Sequence, residues 1–377
     1  MTSSKIFLLT IVISLFIFVR VYYRNFVLTS DFVNIYTAIS MVKNGQGNQL
    51  YDIDWQKINQ SKIVKYTAIE FLPFRHSPLV ALLFFPFTFL GLGKAYLLFA
   101  YINILGLYLF YLLAKKIFVH ISGNLLYAIL IFLSLPTLRA LVSGQTPILL
   151  SLVFLIFYVF LKRQNWFMAG MFGGLIFFLK IQLFILIPFI FLLSNYKKKF
   201  ITGFILSSIL LFFISLRVVG LPGLLKYLGF IIETEKSIYG SHLWDSFAMA
   251  SLLFRMGING VGLLTVNIFL YVFALLFFKR DLKNRSFDEM FAISTLLVAL
   301  FSVHFLAHDL TILNVTILIL FNRYYEFNKD NKQIFYVAVL LYSLIFFLVV
   351  PVIFGINFNL GPLILLLTIF ILFKRKI

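Results

Sequence analysis

The sequence predicts an all-α polytopic membrane protein with about 12 transmembrane helices, and three observations carry that prediction. Hydrophobic residues fill 62% of the 377 positions and charged residues only 12%, with a mean hydropathy of +1.03; soluble domains hold roughly 45 to 50% apolar residues. Apolar runs long enough to cross the hydrocarbon core follow one another with only brief polar breaks. Basic residues collect at the ends of those runs, as Lys115-Lys116, Lys162-Arg163, Lys197-Lys198-Lys199, Lys279-Arg280 and Lys374-Arg375-Lys376. Such clusters set orientation and meet anionic headgroups, so the net charge of +19 is not read as a nucleic-acid surface. The absence of cysteine excludes disulfides, thiolate metal sites and thiol nucleophiles.

The chain reads as a single membrane domain, 1–377, in which a first loop, 24–77, precedes a transmembrane bundle, 78–377. The first apolar run, 6–23, lacks a small-residue cleavage site and is too long for a signal, so it reads as a retained span. Within the loop, Phe32, Ile35, Tyr36, Ile39 and Val42 recur at helical spacing up to Gly45. A second helical stretch sets Trp55, Ile58, Tyr66 and Ile69 against Lys57, Lys62 and Lys65. Both read as amphipathic helices resting in the headgroup region. Further apolar segments cover 78–91, 94–114, 118–136, 145–161, 167–195, 200–218, 258–278, 287–303, 309–322, 334–352 and 355–373. The first of these carries Pro78 and Pro86 and can be re-entrant; otherwise Lys115 and Lys116 break the charge rule. If Lys162-Arg163 and Lys197 to Lys199 are both cytoplasmic, the segment between them crosses twice or dips in and returns, with Lys180 at the turn. The same rule places Arg139 to Gln145, the loop from Arg217 to Gly257, and the turn from His304 to Asp309 on the external face.

Ionisable residues are the most informative, because a charge in hydrocarbon costs about 2.5 kcal/mol or more. None of the 13 carboxylates falls mid-run, which argues against ion-coupled transport. Asp31, Asp52, Asp54, Glu70, Glu233, Glu235, Asp245 and Asp309 gather instead on the face read as external. Asp31, between the first span and the first loop helix, can be a helix N-cap or a general base for a sugar hydroxyl. Arg75 and His76, where the loop returns to the membrane, can bind a lipid phosphate or snorkel to headgroups. Ser143-Gly144-Gln145, preceded by Arg139, is a polar turn in which Gly144 allows close backbone approach and Gln145 can donate to a sugar or phosphate. Lys180, inside an apolar stretch, requires a polar cavity or a counter-charge such as a phosphate. Gly170, Gly173 and Gly174 read as a helix-packing surface. His304 and His308, four apart beside Asp309, have a metal-like spacing, but without a nearby third ligand they read as hydrogen-bonding or phosphate-binding residues.

The order of these stretches resembles glycosyltransferase family 87, the polyprenyl-phosphate-sugar-dependent hexosyltransferases of the GT-C fold. Ser30-Asp31-Phe32, Asn44-Gly45, Leu50-Tyr51-Asp52, Phe74 to Pro78 with Pro86, Ser143-Gly144-Gln145, Ala169-Gly170 through Lys180 and a late histidine carry the likeness. The chain departs from the usual pattern at His76 and Ser77-Pro78, where an aromatic residue and a double proline are common. The resemblance implies a GT-C-like bundle with the first loop external, and a multi-pass protein of the plasma (inner) membrane whose active site faces the periplasm or exterior. It implies Asp31 as catalytic base, and basic side chains such as Arg75, Arg139 and Lys180 at the lipid phosphate. A hexose, mannose among the candidates, would pass from a polyprenyl-phosphate sugar to a lipid- or glycan-linked acceptor by inverting single displacement. No cofactor or metal is expected, and the partners are the lipid-linked donor, the acceptor and membrane lipids, with no nucleic acid. The rival readings are a lipid-linked glycan flippase and a polysaccharide polymerase or ligase. A flippase needs a continuous polar path, whereas here the polar groups other than Lys180 lie on one face.

Overall fold

A computed structural model describes residues 3–64, 71–121, 125–186, 188, 197–236, 243–283, 285–302, 304–327, 332–353 and 358–374. Every regular element among them is helical. Lys65, Tyr66, Ile69 and Glu70 of the first loop, and Arg375 and Lys376 of the terminal cluster, lie outside the described residues. The helices are α1 (Ser3–Val27), α2 (Phe32–Lys43), α3 (Ile53–Ile63), α4 (Pro78–Leu83), α5 (Leu92–Ile117), α6 (Leu125–Phe132), α7 (Leu135–Val142), α8 (Pro147–Lys162), α9 (Trp166–Leu179) and α10 (Lys197–Lys236). They continue as α11 (Met249–Arg255), α12 (Gly260–Lys283), α13 (Phe287–Phe301), α14 (Asn314–Glu326), α15 (Lys332–Tyr342), α16 (Phe346–Ile353) and α17 (Gly361–Lys374).

Four helices are long and apolar enough to cross a membrane: Ile6–Val27, Leu92–Ile117, Lys198–Tyr227 and Gly260–Lys279. The chain is therefore an α-helical polytopic membrane protein. Half of the most apolar stretch of α5 is buried, against 17% to 22% for the other three, so α5 is central and the others face lipid. Shorter apolar helices, among them α8, α9 and α17, complete the bundle.

Several segments depart from the sequence reading. The 78–91 run divides into α4 and a 3-10 turn at Phe85–Phe89, with Pro78 and Pro86 each opening a helical piece, and neither piece is long enough to span. The 118–136 run breaks before Ser134, which caps α7 by accepting from the Thr137 amide at 3.3 Å. The 334–352 run turns at Ser343, between α15 and α16. Beyond 218, where a loop was expected, α10 continues to Lys236, because Gly220 at φ +67 bends the backbone and Pro222 restarts the helix.

The first loop helix is enclosed by the protein itself. Phe32, Val33, Asn34, Ile35, Thr37, Ala38, Ile39 and Met41 are all buried, so nearly the whole girth of α2 is covered by protein. The covering is the 78–91 run, which folds back over it: Tyr36 Oη donates to Leu90 O at 2.6 Å and Lys43 Nζ to Thr88 O at 3.0 Å. In α3 the inward side carries amides while Ile58 faces out. Gln56 donates to Leu50 O and accepts from the Phe74 amide, each at 2.7 Å, stitching the two ends of the loop together.

Helices α9 and α10 meet backbone to backbone. A Cβ on Gly170 would collide with Phe200 O, one on Gly174 with Ser207 Oγ, and one on Gly203 with Phe167 O. Small residues at each crossing let two apolar helices approach without a hydrophobic driving force between them. At the opposite end of the bundle from Asp31, three basic residues are tied to carboxylates or helix carbonyls. Lys162 and Tyr158 both bind Asp288 at 2.8 Å, Arg323 pairs with Glu289 at 2.9 Å, and Arg285 donates to the terminal carbonyls Leu372 O and Phe373 O at 2.8 Å.

The glycine crossings make a paired prediction. Gly203→Ala forces α9 and α10 apart and destabilises by about 1–3 kcal/mol, the cost of overpacking. Gly229→Ala, with nothing within 4 Å, is neutral or stabilises by about 1 kcal/mol through helix propensity. Thermal unfolding of the two variants in detergent, against the parent, reads the difference.

Candidate active site

Two polar turns meet at the start of α2. Asp31 occupies its N-cap position, but its carboxylate caps no amide. It accepts instead from Gln145 Nε2 at 2.5 Å, while its own amide donates to Ser143 O at 2.9 Å. The cap alternative for Asp31 is thus not realised, and the carboxylate is held by a side chain 114 positions away. Gly144 is required here twice over: its φ is +65, and a Cβ would sit 2.7 Å from Phe32 Cβ and 3.2 Å from the Tyr96 ring. Tyr96 Oη donates to Val142 O at 2.7 Å, fixing the same turn to α5.

Lys180 ends α9 in an extended conformation, φ −151, and its ammonium pairs with the fully buried Asp309 in the turn after α13. The counter-charge expected for this lysine is therefore an aspartate of the protein. The Asp309 carboxylate also accepts from the Leu306 amide at 3.1 Å and lies 3.4 Å from His308 Nε2. Burial alone would raise its pKa, yet the charges of Lys180, His308 and His304 hold it down at about 2.

The fields of these groups overlap. His308 is pushed down by burial, with Asp309 opposing, Lys180 reinforcing, and Asp31 and Arg139 both acting on it. His76 falls to about 4, through burial first and then the charges of Lys180 and His308, with Arg75 close enough to contribute. His304 falls to about 3, again through burial first, and its Nδ1 is buried with no hydrogen-bond partner among the described residues. All eight residues singled out from sequence, Asp31, Arg75, His76, Arg139, Gln145, Lys180, His304 and His308, thus lie in one neighbourhood. Asp31 and Lys180 make no direct contact; His308 senses both.

The structure adds residues that the sequence did not single out as a site. Asp309 reads from sequence as one of the external carboxylates and a neighbour of His308, and its burial has no local signature. Tyr51 donates to His76 O at 2.9 Å and packs against Tyr227 of α10 with tilted rings 4.8 Å apart, and Tyr227 lies close enough to act on Arg75. Tyr227 falls where a loop was expected. Chemically the neighbourhood offers one hydrogen-bonded carboxylate at an accessible position, cationic Arg139, Arg75 and Lys180, and histidines kept neutral.

These histidines make stability pH-dependent. Their folded pKa values lie below the ordinary 6.5, so the unfolded chain binds more protons as pH falls below that value. The stabilisation is complete above pH 6.5 and is lost as pH falls toward about 4, the folded value of His76. Thermal midpoints measured from pH 7 to 4 should fall, and less steeply for His76→Gln and His304→Gln.

Comparison with curated proteins and with solved structures gave no match. The family model for glycosyltransferase family 87 matches residues 74–308, which span Arg75, His76, Arg139, Gln145, Lys180, His304 and His308 and most of the bundle around them. Covering more than half of the chain, that match shows what the sequence order suggested: the chain belongs to glycosyltransferase family 87 and is a membrane glycosyltransferase.

Proposed function

We propose that the chain moves a hexose, mannose among the candidates, from a polyprenyl-phosphate sugar to a lipid- or glycan-linked acceptor. The reaction takes place on the external face of the plasma membrane. In this reading the long and short apolar helices together form a single GT-C-like membrane domain of about 12 crossings. The observation that carries the reading is the Asp31 carboxylate, held by Gln145 and acting on His308 together with Lys180 and Arg139.

The acceptor hydroxyl attacks the anomeric carbon, so that an O–C bond forms as the bond from that carbon to the phosphate oxygen breaks. The proton passes to Asp31, and the electron pair of the broken bond stays on the departing lipid phosphate. Arg139, Arg75 and Lys180 are placed to stabilise the charge that develops on that phosphate. Neutral His76 and His304 are suited to hydrogen-bonding sugar hydroxyls, since burial keeps them uncharged. One displacement inverts the anomeric centre. Because the leaving group is a phosphomonoester met by fixed cations, this reading includes independence of metal ions.

Asp31→Asn keeps the hydrogen bond to Gln145 within reach but removes the base, and transfer should fall by about 100- to 10,000-fold. Purified protein incubated with a panel of radiolabelled polyprenyl-phosphate sugars and a membrane lipid extract measures it; transfer retained by the variant would favour a polymerase or ligase that needs no such base. Lys180→Met leaves Asp309 buried without its partner and should destabilise by about 3–5 kcal/mol. Lys180→Met combined with Asp309→Asn should recover most of that stability while transfer stays lost, as thermal unfolding and the same assay would report.

A further inference from the structure

Three cations stand at one end of α1 and α5 with no carboxylate paired to them among the described residues. Arg20 and Arg24, one turn apart on α1, both lie over the Tyr23 ring, 5.6 and 5.9 Å from its centroid. Arg24 Nε donates to the Tyr23 hydroxyl at 3.4 Å. Tyr23 packs against the start of α5, where a Cβ on Gly93 would meet its ring at 3.3 Å. Lys94 follows Gly93 on α5, and its charge reaches the same tyrosine.

All three cations are exposed. The rise of α1 puts the Cα of Arg20 roughly 10 Å inside the helix end at Val27, within reach of the headgroup layer only through its long stem. Below the cations, Ile13 and Ile17 of α1 and Leu98, Leu105 and Leu109 of α5 face outward as apolar surface. The two helices run antiparallel and are closed against each other by Tyr23 on Gly93 and, deeper, by Phe16 on Tyr101 at 4.9 Å. Cations above an apolar track fit a phosphate headgroup above acyl chains. The exposure of all three cations beside this lipid-facing track fits a lipid of the surrounding bilayer as occupant and not the sugar donor.

We propose that Arg20, Arg24 and Lys94 form a binding site for the phosphate of an anionic bilayer phospholipid, seated on the lipid-facing side of the α1–α5 seam. The bound lipid fixes the level of the α1 end in the headgroup layer. Asp31 follows that end within one helical turn of chain, so the lipid also sets the depth of the carboxylate. The site is independent of which sugar or acceptor the protein uses.

Native mass spectrometry of the full-length protein, extracted from nanodiscs containing phosphatidylcholine with a minor share of phosphatidylglycerol, tests the site directly. The parent should retain phosphatidylglycerol in preference to phosphatidylcholine, and retention should weaken as ionic strength rises. The Arg20→Gln/Arg24→Gln/Lys94→Gln variant should lose at least tenfold in that preference. Lys115→Gln/Lys116→Gln, at the other end of α5, should keep it, as should Arg20→Lys/Arg24→Lys/Lys94→Arg, which also guards against a variant that fails to fold. Equal retention by the triple glutamine variant, or salt-independent retention by the parent, would overturn the proposal. So would displacement of phosphatidylglycerol by an equimolar polyprenyl monophosphate, which would reassign the surface to the donor carrier.

Discussion

An ammonium group at the end of an apolar helix cannot remain charged in a bundle of this kind without an anion beside it, and Asp309 is that anion. The pair ties the end of α9 to the turn between α13 and α14, two segments far apart in sequence. Its position sets the rest of the site. His308 lies against the same carboxylate, and the charges of Lys180 and Asp309 reach His76 and His304. A buried ion pair is a weak source of net stability but a strong constraint on geometry, because either partner alone would be an uncompensated charge.

A second junction, built without ions, places the carboxylate. The Ser143–Gln145 turn docks on α2 through a glycine that leaves no space for a side chain, and through reciprocal hydrogen bonds to Asp31 from side chain and backbone. Phe32, Phe87, Tyr96 and Phe99 pack beneath that junction with ring centroids 5.0 to 6.4 Å apart. Aromatic packing of this density holds α2 inside the protein, although its pattern is amphipathic. Asp31, with Arg139 behind the same turn, and Lys180 therefore sit on separate supports.

Some basic residues are paired within the protein and others are not. At the end away from Asp31, Lys162, Arg285 and Arg323 are satisfied by Asp288, Glu289 and helix carbonyls. Near Asp31, Arg139 forms no ion pair among the described residues, and Arg20, Arg24 and Lys94 face outward unpaired. Paired cations lock helices together, whereas unpaired ones remain available to anions from outside the protein.

The sequence by itself determined the membrane class, because composition and apolar run length report the solvent directly. It also determined the candidate residues at Asp31, Gln145, Lys180 and His308, because polar groups beside long apolar runs are few and stand out. The break at Lys180 and the glycine contact of α9 were legible for the same local reason. Whether 78–91 crosses the membrane, where α10 ends and which way α2 faces were decided only in three dimensions, since each depends on what packs against a segment and not on its own periodicity. The partner of Lys180 belongs with these: an aspartate beside a histidine at a turn looks like surface chemistry, and only the folded chain carries it into the interior. Local pattern specifies how a segment meets its solvent, but the pairings of Asp31 with Gln145 and of Lys180 with Asp309 come from contacts between segments more than a hundred residues apart.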